Sequence, residues 1–402
     1  MTKTILITSV LCSFLLIGCT NSVNNGGDEA SSTISGQLVD SYISNVEYLC
    51  SDDTNGTTDI NGSFECATLP IKFKLGGLEL GTITQIPSDN QIFPQDLLGV
   101  QRADLNNTEV IAMARFLQSC DEDNNTENGI QIRQRVRTAF IDTNLTFDAT
   151  QIDTYAEDAN ISLIDTQSAI SHLTLTTEYT DAVNGVTKLP TNVRAALLTP
   201  RSILNQDVIN TLSYMGNEER LAYDVYTKLY EYFPSLFQFT KIAENSETTH
   251  MTTVQLLAKK YALTHEAFTN IDSLPSSDEI DNSNIVKGEY EISELQELYD
   301  ALILKGRNSQ QDALEVGCMV EVTDINDLET DIALAKEANA SDVVVAFNFL
   351  RDGSYSHYWS FDRGLKNLGV TDGCCTLGVI DGVDYCQPDY PQNMQGGGHA
   401  KR

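Results

Sequence analysis

Basic residues are scarce in this chain, and so are long apolar runs. Its 402 residues include 25 Lys and Arg against 57 Asp and Glu, a formal net charge of −32. A surface this acidic repels phosphate backbones and anionic lipid, so we expect no nucleic-acid partner. Beyond the first 19 residues, no segment is apolar over the ~20 residues that a membrane-spanning helix requires. The length exceeds one ordinary core and predicts a multidomain protein.

The most apolar run, residues 5–17, lies at the N-terminus behind Lys3 and leads into the sequence LIGC. It is too short to span a membrane and has the layout of a secretory signal. Gly18 directly before Cys19 resembles the lipobox of bacterial lipoproteins, in which the cysteine is lipidated and becomes the mature N-terminus. The resemblance implies removal of residues 1–18 and a lipid anchor in the bacterial cell envelope, facing the periplasm or the cell exterior. The alternative is an ordinary signal peptide with a chance cysteine.

Export from the cytoplasm also changes the expected chemistry of the cysteines. Seven follow the predicted signal: Cys50, Cys66, Cys120, Cys318, Cys374, Cys375 and Cys386. Outside the cytoplasm they favour disulfides, and an odd number leaves at least one free, paired between chains or bound to something else. We expect Cys50 to pair with Cys66, and Cys386 to pair with Cys374 or Cys375. No paired C-x-x-C spacing supports a zinc site in the tail.

The N-terminal half is predicted to begin with a flexible tether, residues 19–36, rich in small polar residues. Residues 37–105 show short β-like runs broken by turn residues. Within them TDINGSF (58–64) resembles a signature of small prealbumin-like β-sandwiches, such as the carboxypeptidase regulatory-like modules of exported proteins. The resemblance implies a spacer or adhesive role. Residues 106–190 are predicted to form a helical extension, and the proline-bearing stretch 184–202 a domain boundary.

An acidic loop inside that extension, CDEDNNTENG (120–129), alternates Asp121, Asp123 and Asn125 as oxygen-rich calcium loops do. It lacks the glycine at the sixth position and the glutamate at the twelfth that an EF-hand requires. We therefore favour a solvated acidic turn and keep a calcium site as the alternative.

The C-terminal half contains four long amphipathic patterns. They cover residues 206–232, 236–261, 311–337 and 341–368. A polar loop (270–290) and a shorter helix (291–304) separate the second from the third. Long helices with short connections predict an all-α four-helix bundle over residues 200–370, followed by a cysteine-rich tail, 371–402.

Each of the four apolar stripes is interrupted near mid-helix by polar residues. The interrupting residues are Glu219, Glu247, His250, Glu321, Ser354 and His357. Because core positions in a bundle alternate by three and four residues, these side chains are predicted to face inward at one depth. Buried carboxylates and imidazoles are costly without partners. They either form ion pairs or surround a cation, and this donor set suits iron, manganese or zinc.

Two motifs resemble ferritin-like proteins. ETTH (247–250) matches the E-x-x-H of ferritin-like di-iron bundles, and ERLAYDVY (219–226) resembles the E-x-x-A-x-x-x-Y of the rubrerythrin branch. With LQELYDALILKGRNSQQDALEVG, VEVTDINDL and GSYSH, the pattern over residues 203–369 resembles an uncharacterised ferritin-like family of prokaryotes, known only as a domain of unknown function.

The resemblance implies a centre of one or two iron or manganese ions with a small oxidant or the metal itself as substrate. Its implied ligands are Glu219, Glu247, His250, Glu321 and His357. Ser354 stands where the family's second E-x-x-H has its glutamate, and Asp324, one turn beyond Glu321, is the candidate replacement.

Two functions follow from this pattern. One is a di-metal oxidoreductase that oxidises ferrous iron or reduces peroxide, although the Cys₄ rubredoxin-type site of rubrerythrins is missing. The other is an envelope binding or structural protein whose helices form a non-catalytic scaffold. Cys318 and Tyr226 are interpreted as core residues.

Overall fold

A computed structural model describes residues 33–261, 286–290 and 293–392. The predicted signal, Cys19, most of the tether and most of the polar loop lie outside these residues. The N-terminal part is rich in strands and the C-terminal part is helical, as the sequence predicts. Among the described helices, none combines the length and the hydropathy needed to cross a membrane.

Two small sheets form the strand-rich part. The strands are β1 (Ile34–Leu38), β2 (Ile43–Ser44), β3 (Glu47–Cys50), β4 (Asn55–Thr57), β5 (Ser63–Cys66), β6 (Ile71–Leu75), β7 (Leu78–Ile83), β8 (Gln91–Ile92), β9 (Ile130–Gln131) and β10 (Leu145–Thr146). One sheet has the order β5-β1-β8 and the other β10-β7-β6-β3-β4, while β2 pairs with β9. In β6, Ile71, Phe73 and Leu75 are fully buried and the two lysines between them are not, the alternation of a half-buried strand.

This part continues beyond residue 105, where the sequence predicted it to end. Helix α1 (Pro94–Leu97) is followed by α2 (Thr108–Ser119), α3 (Gln134–Ala139) and α4 (Ile152–Asp158). Phe116 of α2 and Phe140 after α3 share a core with Phe73 of β6. β9 and β10 also lie inside the stretch predicted to be helical. A two-residue strand is too short to show a period, which is why the pattern missed both.

Eight helices of the described chain follow. They are α5 (Thr166–Gly185), α6 (Thr191–Leu197), α7 (Gln206–Tyr232), α8 (Phe237–Ile242), α9 (Thr248–Lys260), α10 (Ser293–Gly306), α11 (Gln310–Glu337) and α12 (Ser341–Asn367). The bounds of α7, α11 and α12 agree with the predicted ones within one residue. Side-chain caps explain where α7 and α11 begin. The side chain of Asn205 accepts a hydrogen bond from Val208 N at 3.0 Å, before the first turn of α7. The side chain of Ser309 accepts one from Asp312 N at 3.0 Å, before the first turn of α11.

Helices α7, α11 and α12 contribute to two separate apolar clusters, one toward each end. The first contains Tyr226, Leu314 and Phe361. The second contains Leu212 and Phe347, together with residues of α9. The residues between these clusters along each helix are the polar ones that interrupt the stripes. Leu368, the last residue of the fourth amphipathic pattern, is 44% exposed because α12 has ended, and Leu365 is the buried residue there.

The predicted boundary at 184–202 is a packed segment. Val193 and Leu197 of α6, with Val183 of α5, join the second cluster of the long helices. The prolines of this stretch, Pro190 and Pro200, flank α6. Prolines indicate where a helix starts or stops, but they do not indicate which residues that helix packs against.

Three disulfides lie among the described residues. Cys50–Cys66 is the pair that the sequence favoured, and Cys386 pairs with Cys375. The third, Cys318–Cys374, corrects the interpretation of Cys318 as a core thiol. It joins α11 to the segment after α12 across 56 residues, a separation that offers no local pattern. Cys120 is free and buried.

Candidate metal centre

Five polar side chains meet between the two apolar clusters of the long helices. Glu219 comes from α7, His250 from α9, Glu321 from α11 and His357 from α12, while Glu247 directly precedes α9. Their exposed fractions are 2%, 1%, 2%, 6% and 2%. Such burial of ionisable groups requires that they compensate one another or share a cation.

A π-helical turn, Ala243–Glu247, joins α8 to α9 and ends at one of these residues. A π turn bonds residues five apart and accommodates one extra residue, so it shifts the face that the chain presents. After this shift Glu247 and His250, three residues apart, both point inward. The sequence predicted their direction but treated the segment as a regular helix.

His250 forms one side of the centre. Its Nδ1 lies 3.0 Å from Glu219 Oε2 and 3.2 Å from Glu247 Oε2. Its Nε2 is 3.4 Å from Ser246 Oγ, and the ring meets Phe349 edge-on at 5.5 Å. These contacts hold the imidazole with Nδ1 toward the two carboxylates.

His357 forms the other side. Its Nδ1 lies 3.1 Å from Glu247 Oε1 and 3.4 Å from Glu321 Oε2. The hydroxyl of Tyr226 donates to the other oxygen of Glu321. The two imidazole centroids are 5.6 Å apart and their planes differ by 30°.

Glu247 is therefore shared. One oxygen faces the Glu219–His250 side and the other faces the Glu321–His357 side. The donor atoms form two groups, Glu219–Glu247–His250 and Glu247–Glu321–His357, and within each group all lie within 4.8 Å of one another. A carboxylate that offers one oxygen to each of two imidazole–carboxylate groups has the arrangement of a bridging ligand.

Several atoms of the centre have no hydrogen-bond partner within the described chain. They are Glu219 Oε1, Glu247 Oε1 and His357 Nδ1. The last two are only 3.1 Å apart, yet their alignment does not allow a hydrogen bond. An unsatisfied buried polar group costs about 1–3 kcal/mol. Donor atoms that are close but not aimed at each other fit a layout arranged around a common point.

The protonation of the centre follows from its burial and its pairs. Burial would raise the pKa of Glu247, but His357 and His250 outweigh it and hold that pKa well below its usual range. Burial would lower the pKa of His357, whereas Glu321 and Glu247 raise it to about 10. Burial raises the pKa of Glu219 well above its ordinary value despite His250. Burial would likewise lower the pKa of His250, but Glu219 and Glu247 raise it well above its ordinary value, so Glu247 is an anion between two imidazolium ions when only protons occupy the centre.

Asp324 lies beside the two groups without joining either one. Ser354 Oγ donates to Asp324 Oδ2 at 2.6 Å and also contacts Leu350 O at 3.1 Å. Burial, followed by the charge of Glu321, raises the pKa of Asp324 to about 7. Ser354, which stands where a second E-x-x-H motif would have its glutamate, is therefore hydrogen-bonded to this aspartate.

The comparisons with known proteins concern this helical part. Residues 208–377 match the family described as "Uncharacterized protein domain (DUF2202)". The uncharacterized protein MJ0754 of Methanocaldococcus jannaschii is 35% identical over 170 residues, which are 42% of this chain and 81% of that protein. The chain belongs to the DUF2202 family.

The crystal structure of the hypothetical protein MJ0754 from Methanococcus jannaschii shares 33% identity, covers 42% of this chain and 86% of that one, and has a TM-score of 0.36. The DUF2202 match contains every residue of the centre as well as Asp324 and Ser354. The strand-rich part lies outside the match.

Sequence reasoning missed two residues that shape the DUF2202 centre. Tyr226, interpreted as packing, also donates to Glu321. Gly353 of α12 leaves room for His250, because a Cβ there would lie 2.5 Å from His250 Nε2. A glycine inside a helix costs about 1 kcal/mol relative to alanine, so its position in the middle of α12 was a usable signal.

The acidic loop at 120–129 is distant in sequence from the DUF2202 match. Both carboxylate oxygens of Asp121 accept from backbone N–H groups, those of Asn125 and Gln131, at 2.8 Å. Asp123 accepts from Asn125 N at 2.8 Å and from Asn128 Nδ2 at 2.9 Å. These hydrogen bonds hold the turn together, and Asp121 within it is buried, so the turn is not fully solvated as predicted.

Proposed function

We propose that the DUF2202 part of this protein is a ferritin-like four-helix bundle that binds one or two iron or manganese ions and performs ferroxidase-type or peroxide-reducing chemistry. The observation that carries this proposal is the shared position of Glu247 between two histidine-containing groups in a buried layer. Ordinary buried ion pairs do not require one carboxylate to serve two separate imidazoles.

The residues present fit such ions. Imidazole and carboxylate together suit iron and manganese. One position would be held by Glu219, Glu247 and His250, and the other by Glu247, Glu321 and His357. The unpartnered donor atoms at the centre would gain partners, and divalent charge would compensate the carboxylates while the imidazoles bind as neutral ligands.

The ions would supply one-electron redox chemistry with oxygen or peroxide. The chain's own residues prepare the site for it. The apolar clusters on both sides exclude water, which strengthens every charge interaction inside. Tyr226 orients Glu321, and Ser246 and Phe349 orient the imidazole of His250.

Envelope anchoring remains part of the proposal. The lipobox-like sequence around Cys19 would tether the protein to a membrane, and the strand-rich part would hold the DUF2202 domain away from the lipid surface. A location outside the cytoplasm agrees with the three disulfides of the described chain.

Metal analysis of the purified protein tests the proposal. We expect bound iron or manganese in the wild type and a loss of about tenfold or more in His250→Ala, since losing even a supporting group typically costs about 10–100-fold in metal affinity. The matched control is His172→Ala, because His172 of α5 contacts Ser41 and Thr126 rather than the centre. Equal metal in His250→Ala and wild type would contradict the assignment of the centre.

The second candidate is a scaffold. It is favoured by the direct contacts of His250 with Glu219 and Glu247, at 3.0 and 3.2 Å, which already form ion pairs without any metal. If no iron or manganese loads under reducing conditions, the layer is a buried ion-pair network and the protein is a structural or binding component of the envelope.

A further inference from the structure

A small cavity lies next to the centre, under helix α10. Its volume is about 50 Å³. Leu298 and Leu302 of α10 cover one side, and Tyr385 of the C-terminal tail contributes another wall. Apart from Thr323 and Tyr385, the polar residues among its lining are the acids Glu218 of α7 and Asp324 of α11.

Both acids are buried and only partly satisfied. Glu218 is 8% exposed and Asp324 is 9% exposed. Glu218 Oε2 and Asp324 Oδ1 have no hydrogen-bond partner within the described chain. No lysine or arginine lines the cavity. Two buried carboxyl groups that face a small space without a basic partner offer a cation oxygen ligands with no competing positive charge.

The two acids connect the outside with the centre. Asp327, only partly buried, lies within hydrogen-bond reach of Glu218. Glu218 precedes the centre residue Glu219 in α7. Asp324 lines the cavity, is one turn beyond Glu321 and is close enough to interact electrostatically with Glu321 and Glu247 of the centre. Acidic groups therefore follow one another from the surface of α11 to the centre.

The cavity has the size of an ion site. Holding a water molecule needs about 10–15 Å³ of such volume. A space of about 50 Å³ therefore admits a partly dehydrated ion and is too small for an organic substrate. The apolar wall of Leu298 and Leu302 would offer such an ion no ligand, so the two carboxyl groups, with the hydroxyls of Thr323 and Tyr385, are left to bind it.

We propose that this cavity is a transit site through which a divalent cation reaches the metal centre, bound first by Glu218 and then by Asp324. This inference rests on the proposed function, because a transit site needs a centre to supply. It assigns Glu218 a role in delivery and none in holding the metal at equilibrium. The rate of loading and the final metal content should consequently respond to different residues.

Stopped-flow loading of the metal-free protein with Co²⁺, followed by its visible absorbance, measures the loading rate and the final metal content separately. We expect Glu218→Gln to load about tenfold more slowly, at the low end of electrostatic effects on association rates, and to reach the wild-type content. The control is Glu231→Gln, which makes the same substitution at an exposed position of the same helix. Added salt should slow the wild type more than Glu218→Gln.

A second variant tests the route without changing charge. Leu298 is 37% exposed, so a larger side chain can be accommodated there. Leu298→Trp should obstruct the cavity and slow loading while the final content stays the same. If Glu218→Gln does not fold, judged by circular dichroism, this variant decides the question.

Each of three other outcomes would overturn the transit site. Loading of both variants at the wild-type rate would overturn the transit site and leave the proposed centre intact. A lowered final content in Glu218→Gln would make Glu218 a ligand of the centre and also overturn transit. A wild type that binds no Co²⁺ would remove the proposed function together with this inference.

Discussion

Replacing Gly353 by alanine is the substitution whose outcome the structure determines most directly. The added Cβ would lie 2.5 Å from His250 Nε2 and 2.6 Å from its Cε1. Carbon and nitrogen atoms in contact prefer about 3.5 Å or more, so the imidazole would have to retreat by roughly 1 Å. It cannot do so freely, because its Nδ1 is 3.0 Å from Glu219 and the ring packs against Phe349.

This substitution has two effects on the free energy of unfolding, and they have opposite signs. Alanine is the better helix former by about 1 kcal/mol. Overpacking of a full interior costs about 1–3 kcal/mol. We expect the second to win, with a net destabilisation of about 1 kcal/mol and a loss of bound metal comparable with that of His250→Ala. Urea unfolding and metal analysis of the same preparation measure both.

The control is Gly185→Ala at the end of α5. Nothing lies within 4 Å of the Cβ that this change would add. It should leave metal binding unchanged and stability equal or slightly higher. The double variant Gly353→Ala/His250→Ala measures whether the two substitutions interact in the free energy of unfolding. If the clash is with the imidazole, Gly353→Ala should be neutral or stabilising once the ring has been removed. Wild-type metal content and raised stability in Gly353→Ala would refute the reasoning.

Four further predictions concern the centre and the anchor. Glu247→Ala should destabilise the metal-free protein by about 3–5 kcal/mol in urea unfolding, because it leaves two buried imidazolium groups without their shared anion, and a change below 1 kcal/mol would contradict this. Ser354→Glu should raise the metal content toward two ions, whereas unchanged content would show that the missing ligand is not limiting. Because Glu321 and Glu247 raise the pKa of His357 to about 10, its proton must leave on binding; affinity should therefore fall by up to about tenfold per unit as pH drops from 8 to 6, and a flat Co²⁺ titration would argue against ligation by His357. Cys19→Ser should move the protein from membranes to the soluble fraction, and unchanged membrane association would remove the lipoprotein interpretation.

Local patterns in the sequence were sufficient to predict the long helices and the direction in which their polar residues point. The bounds of α7, α11 and α12 follow from apolar periodicity and from caps such as Asn205, which depend on neighbours a few residues away. The same periodicity indicated that Glu219, Glu247, His250, Glu321 and His357 face inward. Cys50 and Cys66 lie 16 residues apart, within one small β-unit, so their pairing was also accessible.

Contacts between distant segments were decided only by the tertiary structure. β9 and β10 are too short to have a period and exist because β2 and β7 supply their partners. Cys318 pairs with Cys374 across 56 residues because the packing of α11 and α12 brings them together. The sharing of Glu247, the space that Gly353 leaves and the cavity under α10 each require the relative placement of several helices. Periodicity specifies the face on which a side chain lies, whereas the distance between two faces depends on packing.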